Sequence, residues 1–172
     1  MINPTDLQNY IIIPTLVKLN RNGGSAVNLL LGTAAQESSL GYHLAQMHGP
    51  AKGLFEMEPA THDDIWKNYL SYNHDLTQSV LDLVCKNWHD KAKFMTNRGK
   101  IIEYPSACEM IGNLYYATAM ARIHYLRVPE PLPHADDIQG LAHYWKTYYN
   151  TKLGKGTEEE FVRNYKRFKL DK

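Results

Sequence analysis

Along most of the chain apolar residues recur three and four positions apart, the spacing of one helix face, and the pattern is broken at Gly, Pro and Asn. Asn3 followed by Pro4 predicts a helix cap and a first helical position, opening a helix that Pro14 is expected to kink. Gly23-Gly24 ends that helix, and Ser25 reads as the cap of a second one running to about Ser38. Leu30, Ala34 and Glu37 fall on one face of this second helix, so a carboxyl group shares a stripe with core residues.

Beyond Gly41 the pattern changes. A loop, "HGPAKG", leads to "GLFEMEP", whose alternation is more strand-like than helical and predicts a small β element beside the helices. Residues 62–72 and 76–94 read as helices, the second with Leu76, Val80, Leu83 and Val84 on one face. "TNRGKIIEYPS" reads as a loop with a short strand. A helix over about 106–127 ends at the prolines of "VPEPLP". Another spans Asp136 to Thr151, Gly154 and Gly156 break it, and Thr157 with Glu160 has capping-box spacing for the last helix. The expectation is one mainly α (α+β) domain over residues 1–172.

Composition narrows the class. At 44% hydrophobic and 22% charged the chain reads as globular, and 172 residues suffice for a core without disulfide staples. A formal charge of +1 gives no overall case for nucleic acid. Arg163, Lys166, Arg167, Lys169 and Lys172 bias the end of the chain, read as a solvated helix face before contact with an anionic polymer. Cys85 and Cys108 read as buried free thiols rather than a pair. The first residues lack the features of a signal peptide, and their apolar run, broken by Pro14, is too short for a membrane span. Folding in a cytosol is expected, any substrate outside it being reached by another route. His43 with His48, or His62 with Asp63 and Asp64, form no tight ligand motif, so neither metal nor cofactor is expected.

The chemistry centres on acids. A carboxyl group on an apolar stripe is desolvated, which disfavours its charged form. Held protonated near neutrality, Glu37 can give a proton to a leaving oxygen, the first requirement of glycosidic cleavage.

"ESSLG" followed by "GLFEMEPATH" resembles the paired motifs of the lysozyme-like lytic transglycosylases and goose-type lysozymes, in which Glu-Ser precedes a Gly-Leu-Met-Gln-like turn and often Met-Pro-Ala-Thr. The resemblance makes Glu37 the catalytic acid and Ser38 its neighbour in the cleft. It aligns Gly53, Leu54 and Phe55 with the start of the second motif and Pro59, Ala60 and Thr61 with its end. Glu56 stands where the family has Gln, exchanging an amide that donates and accepts for a group that, ionised, only accepts. "NLYYATAMARIHYLR", led by Asn113, is similar to a later helix of the family. The Tyr-Asn-Ala-Gly motif is blurred: it falls on Tyr144, favoured by the lead-in "GLAHY", or on Tyr149 and Asn150. Residues 63–107 exceed what the family core needs and imply a helical insertion or elaboration.

The resemblance implies a lysozyme-like fold and cleavage of the bond between N-acetylmuramic acid and N-acetylglucosamine in peptidoglycan glycan strands. The choice of outcome turns on a second carboxylate: Glu58, two residues after the family's Gln position, is the candidate for positioning water in inverting hydrolysis, with Glu56, on the same strand face, as the alternative inward acid; without such a base the muramoyl C6 hydroxyl closes onto C1 to give a 1,6-anhydro end. The transglycosylase outcome is narrowly favoured. Phe55, Glu56, Asn113, Tyr144 and Tyr149 are the expected substrate contacts. A small unit without a wall-binding module suits a bacteriophage lysis protein or a virion component, with virion proteins as partners; the alternative is a structural tail protein that keeps the fold without cutting.

Overall fold

The structure, a computed structural model, describes residues 1–46, 48–96, 99–150 and 154–169, the side chain of Trp88 aside. Helix α1 covers residues 4–18. Its start is capped by Asn3, whose Oδ1 accepts the Thr5 and Asp6 N–H groups at 2.9 and 3.2 Å. Pro14 has no N–H to give and its ring crowds the preceding turn. The chain meets this with a wide π-helical turn over Leu7–Ile12, in which the Ile13 N–H reaches the Gln8 carbonyl, while Thr15 Oγ1 donates to the Ile11 carbonyl at 2.7 Å.

Helix α2, Gly24–Ser38, is the central element. Its ladder already begins at Gly23, whose carbonyl accepts from Val27, so Ser25 lies inside the first turn and is not the cap expected from sequence. Nearly every side chain from Ala26 to Ala35 is buried, as befits a helix surrounded on all sides. Helix α3 is Pro59–Asn68, α4 His74–Leu81, α5 Leu114–Leu126, α6 Ile138–Trp145, continued by a π-helical turn Lys146–Asn150, and α7 Glu158–Lys169. Helices α5, α6 and α7 all pack on α2, and α5 also holds α1 and α3. From the 63–107 span Ile65, Trp66, Leu70 and Val80 enter the same core.

Two predicted helices are shorter than their apolar patterns. The one expected over 76–94 stops at Leu81 and re-forms only over Trp88–Lys91; between them Asp82 is drawn to Lys18 and Lys91. The one expected over 106–127 is divided at Asn113, which leaves helical backbone and accepts the Tyr116 N–H at 3.0 Å, capping α5. Among the described residues β pairing is confined to isolated bridges, Ala45 with Lys52, Lys52 with Met57 and Met95 with Ile101, so the expected β element is not a ladder. The predicted helix end at Thr151, the loop residues Asn97 and Arg98, and Asp171 with Lys172 lie outside the described residues.

The capping box at the start of α7 forms as expected: the Thr157 N–H donates to Glu160 Oε2 at 3.0 Å and the Glu160 N–H to Thr157 Oγ1 at 3.2 Å. Phe161, Val162, Tyr165 and Phe168 of α7 face the core, and Arg163, Lys166, Arg167 and Lys169 face solvent. Cys85 and Cys108 are unpaired; Cys85 is half-buried and Cys108 exposed, which corrects the buried reading of the second. Among the described residues no helix is long and apolar enough to cross a membrane.

The contact of α2 with α7 hinges on Gly32. A β-carbon there would stand 2.2 Å from Phe161 Cζ, so the helices approach only because the side chain is absent. Gly32→Ala is expected to destabilise the protein by roughly 1–3 kcal/mol, since overpacking outweighs alanine's better helix propensity. Urea unfolding checks this, and the double variant with Phe161→Leu should recover part of the loss.

Candidate active site

Glu37 stands in the last turn of α2, where the helix ends in a run of left-handed residues, Ser39, Leu40 and Gly41, with φ of 51, 55 and 76°. This run turns the chain sharply away and leaves the Glu37 side chain at one wall of a cleft of ≈ 720 Å³. Ser38 makes the turn possible. Its Oγ donates to the Leu54 carbonyl at 2.6 Å and accepts the Gly41 N–H at 2.9 Å. Ser38 is therefore a buried fastener between α2 and the 53–56 segment, not a group in the cleft as expected from sequence.

That segment is a tight turn rather than a strand. Lys52 and Met57 exchange backbone hydrogen bonds at 2.9 and 3.1 Å, and the Glu56 N–H reaches the Gly53 carbonyl at 3.1 Å. Leu54 and Phe55, at the tip of the turn, are both buried. Gly53, at φ 76°, is required on two counts: a β-carbon would also stand 2.4 Å from the Met110 carbonyl oxygen. Phe55 belongs to the core, and only its carbonyl takes part in the site, accepting the Tyr149 hydroxyl at 2.8 Å. Glu56 ends the turn at φ 45°, an uncommon conformation for a side-chain-bearing residue, and is presented to the cleft half-buried. Glu58 is exposed at the cleft's lip, at the N-terminus of α3.

The opposite wall comes from the π-helical turn after α6. Widening the helix there carries Tyr148, Tyr149 and Asn150 to the cleft. Tyr149, hydrogen-bonded to Phe55, packs edge-on against His124 at 5.0 Å between ring centroids. Tyr144, the favoured candidate for the blurred motif, is buried behind this wall with its hydroxyl on the Glu130 carbonyl at 3.0 Å. Of the two tyrosines weighed, only Tyr149 reaches the cleft. Asn113 is the cap of α5, holding the Leu83 carbonyl with its Nδ2 at 2.9 Å, and lines a separate shallow depression. It is a structural residue, and its place in the motif reflects helix capping.

Trp145 is a partner of Glu37 that the sequence reading does not single out. Its Nε1–H donates to Glu37 Oε1 at 2.8 Å, its ring is fully buried, and it packs on Phe161 at 5.3 Å. Its position one residue after Tyr144, on the α6 face turned to α2, was the available signal. His124 was also missed; its Nε2 is 3.0 Å from the Tyr148 carbonyl, and burial holds the imidazole below its ordinary pKa.

Burial pushes the Glu37 carboxyl up to about 7. The Trp145 N–H opposes this by favouring the ionised form, and the charge of Glu56 adds to it. Glu56 is itself raised by burial, with His43 offsetting part of the effect. The site thus joins an acid that keeps its proton near neutrality to two further carboxyl groups and to tyrosine and histidine rings. Among the described residues no group of three His, Cys, Asp or Glu is placed to hold a metal ion. No family model, curated protein or solved structure matches this chain.

Proposed function

We propose that this protein cleaves β-1,4 glycosidic bonds between N-acetylmuramic acid and N-acetylglucosamine in peptidoglycan, on a lysozyme-like fold, as a lytic transglycosylase. The observation that carries this reading is the Glu37 carboxyl, desolvated to about 7 at the wall of an open cleft and held in place by the Trp145 N–H. A group so poised gives its proton to the bridging oxygen as the C1–O bond breaks, leaving a cationic sugar that the substrate's acetamido group helps to stabilise. As a carboxylate, Glu37 then accepts the proton of the muramoyl C6 hydroxyl as that oxygen bonds to C1. A 1,6-anhydro end results, and Glu37 is protonated again.

Glu58 favours a second reading. It is exposed, lines the same cleft and is free of any side-chain capping bond, so water can be held against it on the far side of the sugar for inverting hydrolysis. Digestion of purified peptidoglycan, with soluble products read by mass spectrometry, separates the two. Anhydro-ended muropeptides, released equally by wild type and Glu58→Gln, are the expected result. Reducing ends that vanish in Glu58→Gln would make Glu58 the water-positioning base. No release by the wild type would leave a non-cutting structural protein.

A further inference from the structure

Two amide groups that line the Glu37 cleft have their oxygens engaged and their N–H groups free. Asn150, the last residue of the π-helical turn, accepts from Lys146 Nζ through its Oδ1 at 2.7 Å. A lysine only donates, so the amide is fixed with its Nδ2 turned away from Lys146. Gln36, beside Glu37 on α2, accepts the Asn164 Nδ2–H of α7 through its Oε1 at 2.8 Å, which leaves its Nε2 as the free end. Among the described residues nothing accepts from Gln36 Nε2 or Asn150 Nδ2, and neither nitrogen is sealed from solvent. Both residues line the cleft.

Gly156 brings the two together. A β-carbon there would stand 3.1 Å from Gln36 Nε2, 3.4 Å from Asn150 Nδ2 and 2.8 Å from Trp145 Cη2. The free donors therefore flank one stretch of bare backbone, against the six-membered ring of the indole whose Nε1–H holds Glu37. The charge around this spot is positive. Lys146 Nζ is half-buried and its partners are neutral, Asn150 Oδ1 and the Gly154 carbonyl at 2.8 Å. Lys155 stands exposed and also lines the cleft. Among the described residues neither lysine has a carboxylate within ion-pair distance. An ammonium bonded to the oxygen of an amide polarises the N–H groups at its other end, so Asn150 is a strengthened donor.

We propose that Gln36 Nε2 and Asn150 Nδ2, with Lys155, form a carboxylate-binding subsite of the cleft. This rests on the glycan-cleaving reading, under which the anion is carried by the sugar strand. Two neighbouring N–H donors match the two oxygens of a carboxylate, whereas a neutral acetamido oxygen makes no use of the two ammonium charges. In a muramoyl strand the carboxylate is that of the lactyl group where the peptide is absent, or one on the peptide where it is present. The chemistry at the amides is the same. The subsite gives the cleft a means of telling muramoyl from glucosaminyl residues, which have no lactyl group.

The full chain carrying Glu37→Gln, which binds without cutting, is titrated by calorimetry with tetrasaccharides of alternating N-acetylglucosamine and N-acetylmuramic acid in three forms: peptide-free, peptide-free with the lactyl group as its methylamide, and peptide-bearing. A form with a carboxylate is expected to bind at least about tenfold more tightly than the methylamide, the contribution of a charge-assisted hydrogen bond. Tighter binding of the peptide-free form assigns the subsite to the lactyl carboxylate, and of the peptide-bearing form alone to a peptide carboxylate. In the same background Asn150→Asp keeps the acceptor for Lys146 and replaces the donor by an oxygen. It should remove the preference while leaving methylamide binding within about twofold. Lys155→Gln, an exposed substitution, should reduce the preference about threefold and carries the test should Asn150→Asp not fold. Equal affinity for all three forms, or a preference that both variants leave intact, overturns the proposal and leaves the glycosidase reading standing. No binding of any form overturns both.

Discussion

Glu37→Gln is expected to fold normally and to lower peptidoglycan cleavage by about 10²–10⁴-fold, the contribution typical of a positioned acid–base group. Glutamine keeps the acceptor for the Trp145 N–H and loses only the proton that the leaving oxygen needs. The pH profile makes the test sharper. Glu37 acts first as an acid, so wild-type kcat/KM should fall as pH rises through about 7, where its proton is lost. Two substitutions should move that fall in opposite directions. Glu56→Gln removes a like charge that raises Glu37, and the fall should begin at lower pH. Trp145→Phe removes the N–H that favours the ionised form, and the fall should begin at higher pH. Equal activity of Glu37→Gln and wild type would sink the mechanism, and a profile unmoved by both neighbours would mean that another group titrates.

The parts of the fold that were legible in the sequence are local ones. The stripe of Leu30, Ala34 and Glu37 follows from helix geometry, and the Asn3 cap and the Thr157–Glu160 box follow from side chains that bond within three residues. One cause of failure is a distant group that decides the local conformation. "GLFEMEP" alternates like a strand, yet Ser38 and Tyr149 grip the Leu54 and Phe55 carbonyls from outside and Met110 crowds Gly53, so the segment closes into a turn. Asn113 looked like a motif residue because a capping asparagine and a ligand-binding asparagine are the same letter. Tyr144 was preferred over Tyr149 on its lead-in, but the π-helical turn after Trp145 shifts the helix face by a residue, and no periodicity argument registers that insertion. The Glu37–Trp145 bond spans 108 positions and has no local signature.

The same desolvation that suits Glu37 to proton donation should weaken the fold at neutral pH, and Glu37→Gln should therefore be the more stable protein there. The carboxyl titrates at its ordinary 4.5 when unfolded and at about 7 when folded. Its protonated form thus contributes stability that is fully present below pH 4.5 and is lost as pH rises through about 7. A separation of this size corresponds to about 3 kcal/mol at 1.36 kcal/mol per pH unit. Glutamine has no proton to lose. The stability difference between Glu37→Gln and wild type should accordingly be near zero at pH 4, grow between pH 4.5 and 7 and level off in favour of the variant at about 3 kcal/mol by pH 8. Urea unfolding of both proteins across this range reads it directly. A flat difference would mean that Glu37 ionises freely in the folded state, and its wall of the cleft would then be no place for an acid catalyst.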